Sequence, residues 1–339
     1  MIIVMAPGAK EEDIQRVATE LQVAGYDAHI SRGVERTLIG AVGAPEGEKE
    51  RLAEQFSRLP MVDRVVPILK SYKLVSRESH PEPTSVRIGE VDFGSQRLGV
   101  IAGPCAVESE QQILEAARAV KEAGACALRG GVYKPRTSPY AFQGLGPEGL
   151  KLMVLAREAT GLPLVTEVMD IRQVELLAEA DVLQVGARNM HNYDLLRAVG
   201  QTDKPVILKR GFAATVQEWL RAAEYIASAG NLRIIMCERG IRTFETQTRF
   251  TLDLGGMAAA KLETHLPFIV DPSHAVGIHT LVPQMALAAL AAGADGLLIE
   301  VHPHPDKALS DGPQSLTPAR FQRLMNDLRN LAQAIGREL

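Results

Sequence analysis

"LGVIAGPCAVESEQQILEAARAVKEAGACALRG", residues Leu98–Gly130, decides the fold. A short apolar run, LGVIAG, meets a polar turn. The helical segment SEQQILEAARAVKEAG follows and stops at Gly124, and a second apolar run, ACALRG, begins. This is one strand–helix–strand unit, and it repeats to the end of the chain. LPLVTEV, DVLQVG, KPVILKRG, LRIIMCE, LPFIVDPS and ADGLLIEV complete eight strand patterns, each followed by a helical one such as TVQEWLRAAEYIASAG or PARFQRLMNDLRNLAQAIG. The runs are apolar throughout and bounded by Gly or Pro, as strands buried on both faces are. Eight such units within residues 98–339 predict an α/β fold, a (β/α)8 TIM barrel. A doubly wound open sheet is the alternative, but no G-x-G-x-x-G opens the first helix.

Upstream, residues 1–70 read as a separate small domain. IIVMAP is a strand, and KEEDIQRVATELQVAG is a helix with Ile14, Val17, Ala18 and Leu21 on one face and Gly25 as its stop. YDAHIS and RTLIGAVG are strands about a turn at Arg32-Gly33, EGEKERLAEQFSRL a second helix, and VDRVVPIL a last strand. The order βαββαβ is ferredoxin-like. Residues 71–97 form a connection: a polar, proline-containing linker, Ser76–Val86, and a hairpin expected around Gly94-Ser95.

The chain has 339 residues, is 46% hydrophobic and 23% charged, and carries a formal net charge of −4. That balance and the lack of basic runs argue against nucleic acid as a partner. Three cysteines are too few for a disulfide framework and fit a reducing compartment. The N-terminus lacks the pattern of a signal peptide, and no stretch is apolar for long enough to span a membrane. A cytoplasmic protein without membrane contact is expected.

Barrel enzymes place their sites at the C-terminal strand ends. Here those ends carry Cys105, Arg129, Glu167, Arg188, Lys209, Glu238-Arg239, Asp271 with His274, and Glu300. A chargeable or metal-binding side chain at every end is more than surface charge explains. After the second strand comes a long loop, LRGGVYKPRTSPYAFQGLG, too polar for a core and too long for a mere connection. It adds Lys134 and Arg136, so Arg129, Lys134, Arg136, Arg188, Lys209 and Arg239 converge on one mouth. Arginine forks and lysine point charges bind phosphate and carboxylate, and six are more than one phosphate needs. A second set, Cys105, His274, Glu300 and Asp311, comes from the first, seventh and eighth strand ends. Its thiol, imidazole and carboxylates suit a divalent transition metal such as Mn, Fe, Co or Zn. Cys126 and Cys237 lie inside apolar runs and read as core packing.

IAGPCAVES, LRGGVYKPRTSPYAFQGLG, TEVMD, QVGARNMHNYDLL, PVILKRG, CERGIRTFET, VDPSHAVG and EVHPHPDKALSDGPQSL closely resemble the 3-deoxy-D-arabino-heptulosonate 7-phosphate (DAHP) synthases, in the variety with an N-terminal ferredoxin-like regulatory domain. The resemblance extends through HISRGVERTLIG in the small domain and YKLVSRESHP in the connection. It implies condensation of phosphoenolpyruvate with erythrose 4-phosphate at the start of the shikimate pathway. It implies metal ligation by Cys105, His274, Glu300 and Asp311. Phosphoenolpyruvate contacts fall on Arg129, Lys134, Glu167, the backbone of Ala187, Arg188, Lys209 and Arg239, and erythrose 4-phosphate contacts on Pro135, Arg136 and Thr137. Cys105, Lys134 and His274 are the implied catalytic residues, with Lys134 a proton donor to the new alkoxide or a phosphate clamp. The resemblance also implies tyrosine, or secondly phenylalanine, as an inhibitor near His29 and Ser31, and a homotetramer.

The nearest rival activity is that of the 3-deoxy-D-manno-octulosonate 8-phosphate synthases, which take arabinose 5-phosphate. Their loops carry K-A-N-R where this chain has Lys134-Pro135-Arg136-Thr137, and they lack the small domain. A non-catalytic amino-acid sensor is the other reading, and the complete set of candidate metal and phosphate residues speaks against it.

Overall fold

The computed structural model describes residues 1–33, 36–42, 48–66, 71–135 and 138–339. The chain divides into two compact units, Met1–Ser71 and Tyr72–Leu339. The small unit runs β1 (Ile2–Met5), α1 (Glu11–Val23), β2 (Asp27–Arg32), β3 (Thr37–Val42), α2 (Lys49–Ser57) and β4 (Val62–Val66). Its sheet is antiparallel, in the order β2-β3-β1-β4. Ile14, Val17 and Leu21 of α1 pack with Ile3, Ile39, Leu52 and Phe56 into one core. Strand alternation sends the opposite set outward. His29 pairs with Gly40 and Ser31 with Leu38, and His29, Ser31 and Leu38 are exposed on that open face. The C-terminal part of the last strand expected here falls on residues outside the described ones.

In the second unit the expected hairpin is present, but its turn is not at Gly94-Ser95. β5 (Val86–Ile88) and β6 (Val91–Phe93) pair Ile88 with Val91 around Gly89-Glu90. Gly89 adopts φ 59°, the left-handed conformation that a two-residue hairpin turn demands. The stretch V-R-I-G-E-V-D-F alternates on both sides of this turn, so Val86, Ile88, Val91 and Phe93 share one face. That face closes the barrel interior against Ile101, Ala127, Val165, Ile207, Ile235, Ile269 and Leu298. A Cβ on Gly99 or Gly296 would lie 2.3 Å or 2.7 Å from the Phe93 ring, so these two strands meet the plug only as glycines.

The barrel strands are β7 (Gly99–Gly103), β8 (Ala127–Arg129), β9 (Leu164–Val168), β10 (Val182–Val185), β11 (Val206–Lys209), β12 (Ile234–Glu238), β13 (Phe268–Val270) and β14 (Gly296–Glu300). They form a closed parallel barrel in which β14 pairs back onto β7. Around it lie α3 (Glu110–Ala123), α4 (Pro147–Thr160), α5 (Arg172–Leu176), α6 (Tyr193–Gly200), α7 (Val216–Ser228), α8 (Leu254–Glu263), α9 (Pro272–Val276), α10 (Val282–Ala291) and α11 (Pro318–Ala334). Local chemistry starts and seats them. Thr215 and Glu218 form a reciprocal capping box on α7. One turn on, the buried Trp219 donates its indole N–H to the Leu208 carbonyl at 3.2 Å and packs edge-on against Phe268. Among the described residues no helix is long and apolar enough to cross a membrane.

The segment expected as a linker, together with the residues just before it, is fastened to the barrel. The Glu224 carboxylate on α7 accepts the backbone N–H groups of Lys73, Leu74 and Val75 at 2.9, 3.0 and 3.1 Å. Arg77 donates to the carbonyls of Lys261 and Thr264, and the Thr84 hydroxyl meets His265 Nδ1 at 2.6 Å. Val75 and Ser76 are buried. Polar composition here marks a strap whose partners lie far along the chain.

Candidate active site

All the barrel strands run the same way, so their C-terminal ends gather at one mouth. Around that mouth Lys134, Pro135, Glu167, Gln184, Gly186, Ala187, Arg188, Lys209, Phe212, Arg239, Arg249, His274 and Asp311 line a cavity of about 150 Å³. Every anion-binding candidate that the structure describes lines it except Arg129. Arg129 lies beneath, buried and ion-paired with Glu300. Arg136 and Thr137 fall outside the described residues. Arg249, from the loop after β12, lines the cavity although no strand-end rule pointed to it.

The cations are less available than the bare sequence implied. Lys209 already meets Asp271 at 2.5 Å, with both side chains buried. Lys134 is buried, with its ammonium 3.0 Å from Cys105 Sγ and 3.1 Å from the Cys105 carbonyl. Burial pulls the Lys134 pKa down, but Cys105 and Glu167 outweigh it and hold the group above its ordinary value. Arg239 differs. It packs 4.2 Å and 4.8 Å from the Phe250 and Phe212 ring centres, and its Nη1 is the one buried side-chain polar atom without a partner among the described residues. Burial lowers its pKa to about 10, against the pull of Asp271, so it stays charged at neutral pH. A buried guanidinium with an open donor is built to receive an anion. Glu167 faces the same space because position 186 is glycine: a Cβ there would lie 2.0 Å from Glu167 Oε1.

Beside this cavity, Cys105, His274, Glu300 and Asp311 each bring one donor atom within 4.8 Å of the others. Asp271 sets the orientation of His274. Its Oδ1 caps α9 by accepting the His274 N–H at 2.9 Å, and its Oδ2 lies 2.7 Å from His274 Nδ1. The Nδ1 hydrogen is therefore directed at Asp271, and Nε2 is left facing Glu300 Oε1 at 3.3 Å. Burial lowers the His274 pKa, in spite of Asp271 and Glu300, and favours the neutral ring that a metal needs. Burial alone would raise Glu300, but His274 and Arg129 hold it below its ordinary value, and Gln314 donates to it at 2.6 Å. For Asp311 burial is likewise overcome, by His274 and Arg249, and its pKa is about 2. The Cys105 thiol is pushed up to about 12, first by burial and then by Glu300. Two ionised carboxylates, a neutral imidazole and a thiol that only a cation would deprotonate are a set that fits a divalent metal ion.

Sequence reasoning missed the contacts that brace this site. Arg210 is buried between Glu238 at 2.9 Å and Asp253 at 2.8 Å, and it steadies the ends of β11 and β12. Arg249 meets Asp311 Oδ1 at 3.2 Å. His302, which no motif constrained, meets Glu108. Each joins positions far apart in the chain, so spacing carried no signal for them.

Two family models match the chain: the DAHP synthetase I family over residues 76–335 and the DAHP synthase ferredoxin-like domain over residues 1–70. The chain is 48% identical over 337 residues to the phospho-2-dehydro-3-deoxyheptonate aldolase of Thermotoga maritima, covering 99% of each. It is 35% identical over 266 residues to the 2-dehydro-3-deoxyphosphooctonate aldolase of Syntrophotalea carbinolica, covering 73% of this chain and 95% of that one. The crystal structure of the Thermotoga maritima DAHP synthase superposes with a TM-score of 0.80 at 47% identity, over 99% of this chain and 98% of that one. A truncated form of the Thermotoga maritima 3-deoxy-D-arabino-heptulosonate 7-phosphate synthase gives 0.74 at 45% identity, over 79% of this chain and 99% of its own length.

Proposed function

This chain belongs to the DAHP synthetase I family, and on that premise we propose that the cavity at its barrel mouth joins phosphoenolpyruvate to erythrose 4-phosphate beside a divalent metal ion. The products are 3-deoxy-D-arabino-heptulosonate 7-phosphate and inorganic phosphate, in the reaction that opens the shikimate route. One observation carries the assignment: His274 and Asp311 belong to the four-donor cluster and also line the cation-rich cavity. The residues that would hold a metal thus share a cavity with those that would bind an anion.

Phosphoenolpyruvate carries a phosphate and a carboxylate on a small enol. Arg188, Lys209 and Arg239, with the backbone of Ala187, form the wall assigned to it, and Arg129, Lys134 and Glu167 complete its surroundings. Pro135, Arg136 and Thr137 are assigned to the sugar phosphate. Cys105, His274, Glu300 and Asp311 would hold Mn, Fe, Co or Zn, and such an ion acts as a Lewis acid toward an aldehyde oxygen. The enol carbon bonds to the aldehyde carbon, and positive character builds on the neighbouring carbon that bears the phosphate ester. Water adds at that carbon and loses a proton, for which Glu167, a carboxylate lining the cavity, is the assigned acceptor. The carbon–oxygen bond to phosphate then breaks and a ketone is left. The new alkoxide takes a proton from Lys134, whose neighbours keep it charged until that moment.

The small unit is assigned to control. Tyrosine, and secondly phenylalanine, would bind on its open sheet face, where His29 and Ser31 supply polar contacts and Leu38 and Val66 are exposed apolar ground. Assembly as a homotetramer would give such a face a neighbour to close on. The test of the metal-dependent reaction is consumption of phosphoenolpyruvate with release of phosphate. Chelation should abolish both and Mn should restore them, and Cys105→Ala should fold but stay inactive. Full turnover by metal-free protein would refute the reading.

A further inference from the structure

From the contacts between the first and eighth barrel loops we infer that Glu108 and His302 are positioning residues that hold Asp311 in the donor cluster. The inference rests on the reading of Cys105, His274, Glu300 and Asp311 as a metal site. Glu108 lies on the loop between β7 and α3, just after Cys105, and His302 lies just after Glu300. Their side chains are only 9% and 5% exposed, although one is a carboxylate and neither lines the cavity.

The hydrogen bonds define what Glu108 does. His302 Nδ1 accepts the His304 N–H at 3.0 Å, so the ring hydrogen sits on Nε2 and points to Glu108 Oε2 at 3.3 Å. The other carboxylate oxygen accepts the Leu309 N–H at 2.8 Å. Both partners are donors. A carboxylate, with an acceptor on each oxygen, serves both at once. Glu108 thus ties the start of the Val301–Ser310 loop to its end.

The residues that follow the tie show why it matters. Ser310 Oγ lies 3.2 Å from Cys105 Sγ, and Asp311 Oδ2 lies 3.2 Å from the same sulfur. Asp311 adopts φ 52°, ψ 31°, a left-handed conformation that residues with a Cβ seldom take. Such a conformation persists only where the surroundings over-determine it. The grip on Leu309, two residues upstream, supplies that constraint on one side, and Arg249 and the 3-10 turn at Gly312–Gln314 supply it on the other. Loosening the grip lets the backbone relax and carries Asp311 Oδ2 away from the other three donors.

The test is Co²⁺ titration of the full-length, metal-free protein, read by thiolate-to-cobalt absorption, alongside the melting temperature of the metal-free protein. Glu108→Gln is isosteric, but its amide can accept only one of the two donors. His302→Asn keeps an acceptor near the His304 N–H but cannot reach Glu108. Each should raise the Co²⁺ dissociation constant roughly tenfold to a hundredfold and leave the melting temperature of the metal-free protein unchanged. The double variant should be no worse than the worse single one, because both act through one contact. Parental affinity in both single variants, or weakening only in step with a lowered melting temperature, overturns the inference. Should Glu108→Gln not fold, His302→Asn decides alone by the same criterion. Cys105→Ala separates the two layers. Loss of the absorption band there, with parental affinity in Glu108→Gln, rejects the tie alone, whereas Co²⁺ binding unaltered by Cys105→Ala rejects the metal site and the inference with it.

Discussion

Replacing Asp271 with asparagine removes one buried charge on which two functions converge. Asp271 is fully buried, and its Oδ2 serves both Lys209 Nζ at 2.5 Å and His274 Nδ1 at 2.7 Å. The substitution keeps the shape, and Oδ1 can still cap α9. Its amide nitrogen, however, must face two donors. Breaking a buried pair while its cation stays in place costs about 3–5 kcal/mol. At about 2 °C per kcal/mol for a unit of this size, the melting temperature should fall by roughly 6–10 °C. The pH dependence has a definite sign. Burial would raise the Asp271 pKa, but His274 and Lys209 hold it well below its ordinary value. A carboxylate depressed in the folded state stabilises fully above its unfolded pKa of about 3.9, and this stabilisation fades as the pH falls toward the folded value. The gap between parent and variant should therefore be complete at neutral pH and narrow below about pH 4. Turning the His274 ring hydrogen away from Asp271 would also place it on Nε2, against the metal, so Co²⁺ affinity should fall at least about tenfold. Scanning calorimetry across pH and Co²⁺ titration measure the two effects. A melting temperature within about 1 °C of the parent at pH 7, with unaltered Co²⁺ affinity, would refute both halves of the reasoning.

Erythrose 4-phosphate should exceed arabinose 5-phosphate in kcat/KM by at least about tenfold, roughly 1.4 kcal/mol of differential transition-state binding; equal use of both sugars in a phosphate-release assay rejects the substrate assignment. Arg136→Ala should raise KM for the sugar phosphate far more than for phosphoenolpyruvate, and the opposite pattern would mean that the two phosphate positions are interchanged. Deleting residues 1–71 should leave an active barrel that ignores tyrosine and phenylalanine, and inhibition that survives the deletion places the effector elsewhere. Glu224→Ala should cost roughly 1.5–4.5 kcal/mol, three lost hydrogen bonds at about 0.5–1.5 kcal/mol each because two of them are open to solvent, and the amides of Lys73, Leu74 and Val75 should exchange faster; unchanged exchange at those amides contradicts the strap.

Features that repeat or run locally along the chain are legible without the fold. Strands such as Val206–Lys209 inside KPVILKRG stand out because apolar runs bounded by Gly or Pro are a short-range signal. Once eight parallel strands close, topology alone sends every strand end to one mouth. That rule groups Cys105, Glu167, Lys209, Arg239 and Glu300 from the chain alone. Tertiary structure decided which of these charges are already matched. Arg129 finds Glu300 across 171 positions, Lys209 finds Asp271 across 62, and Glu108 reaches Leu309 across 201. Tertiary structure also turned an apparent linker into a strap through Glu224, some 150 positions away from Leu74. Periodicity reports which face of an element is apolar, whereas a buried charge answers to whatever the closed fold brings within about 3 Å of it. That distance is set by the packing of the whole barrel, and no local stretch of the chain encodes it.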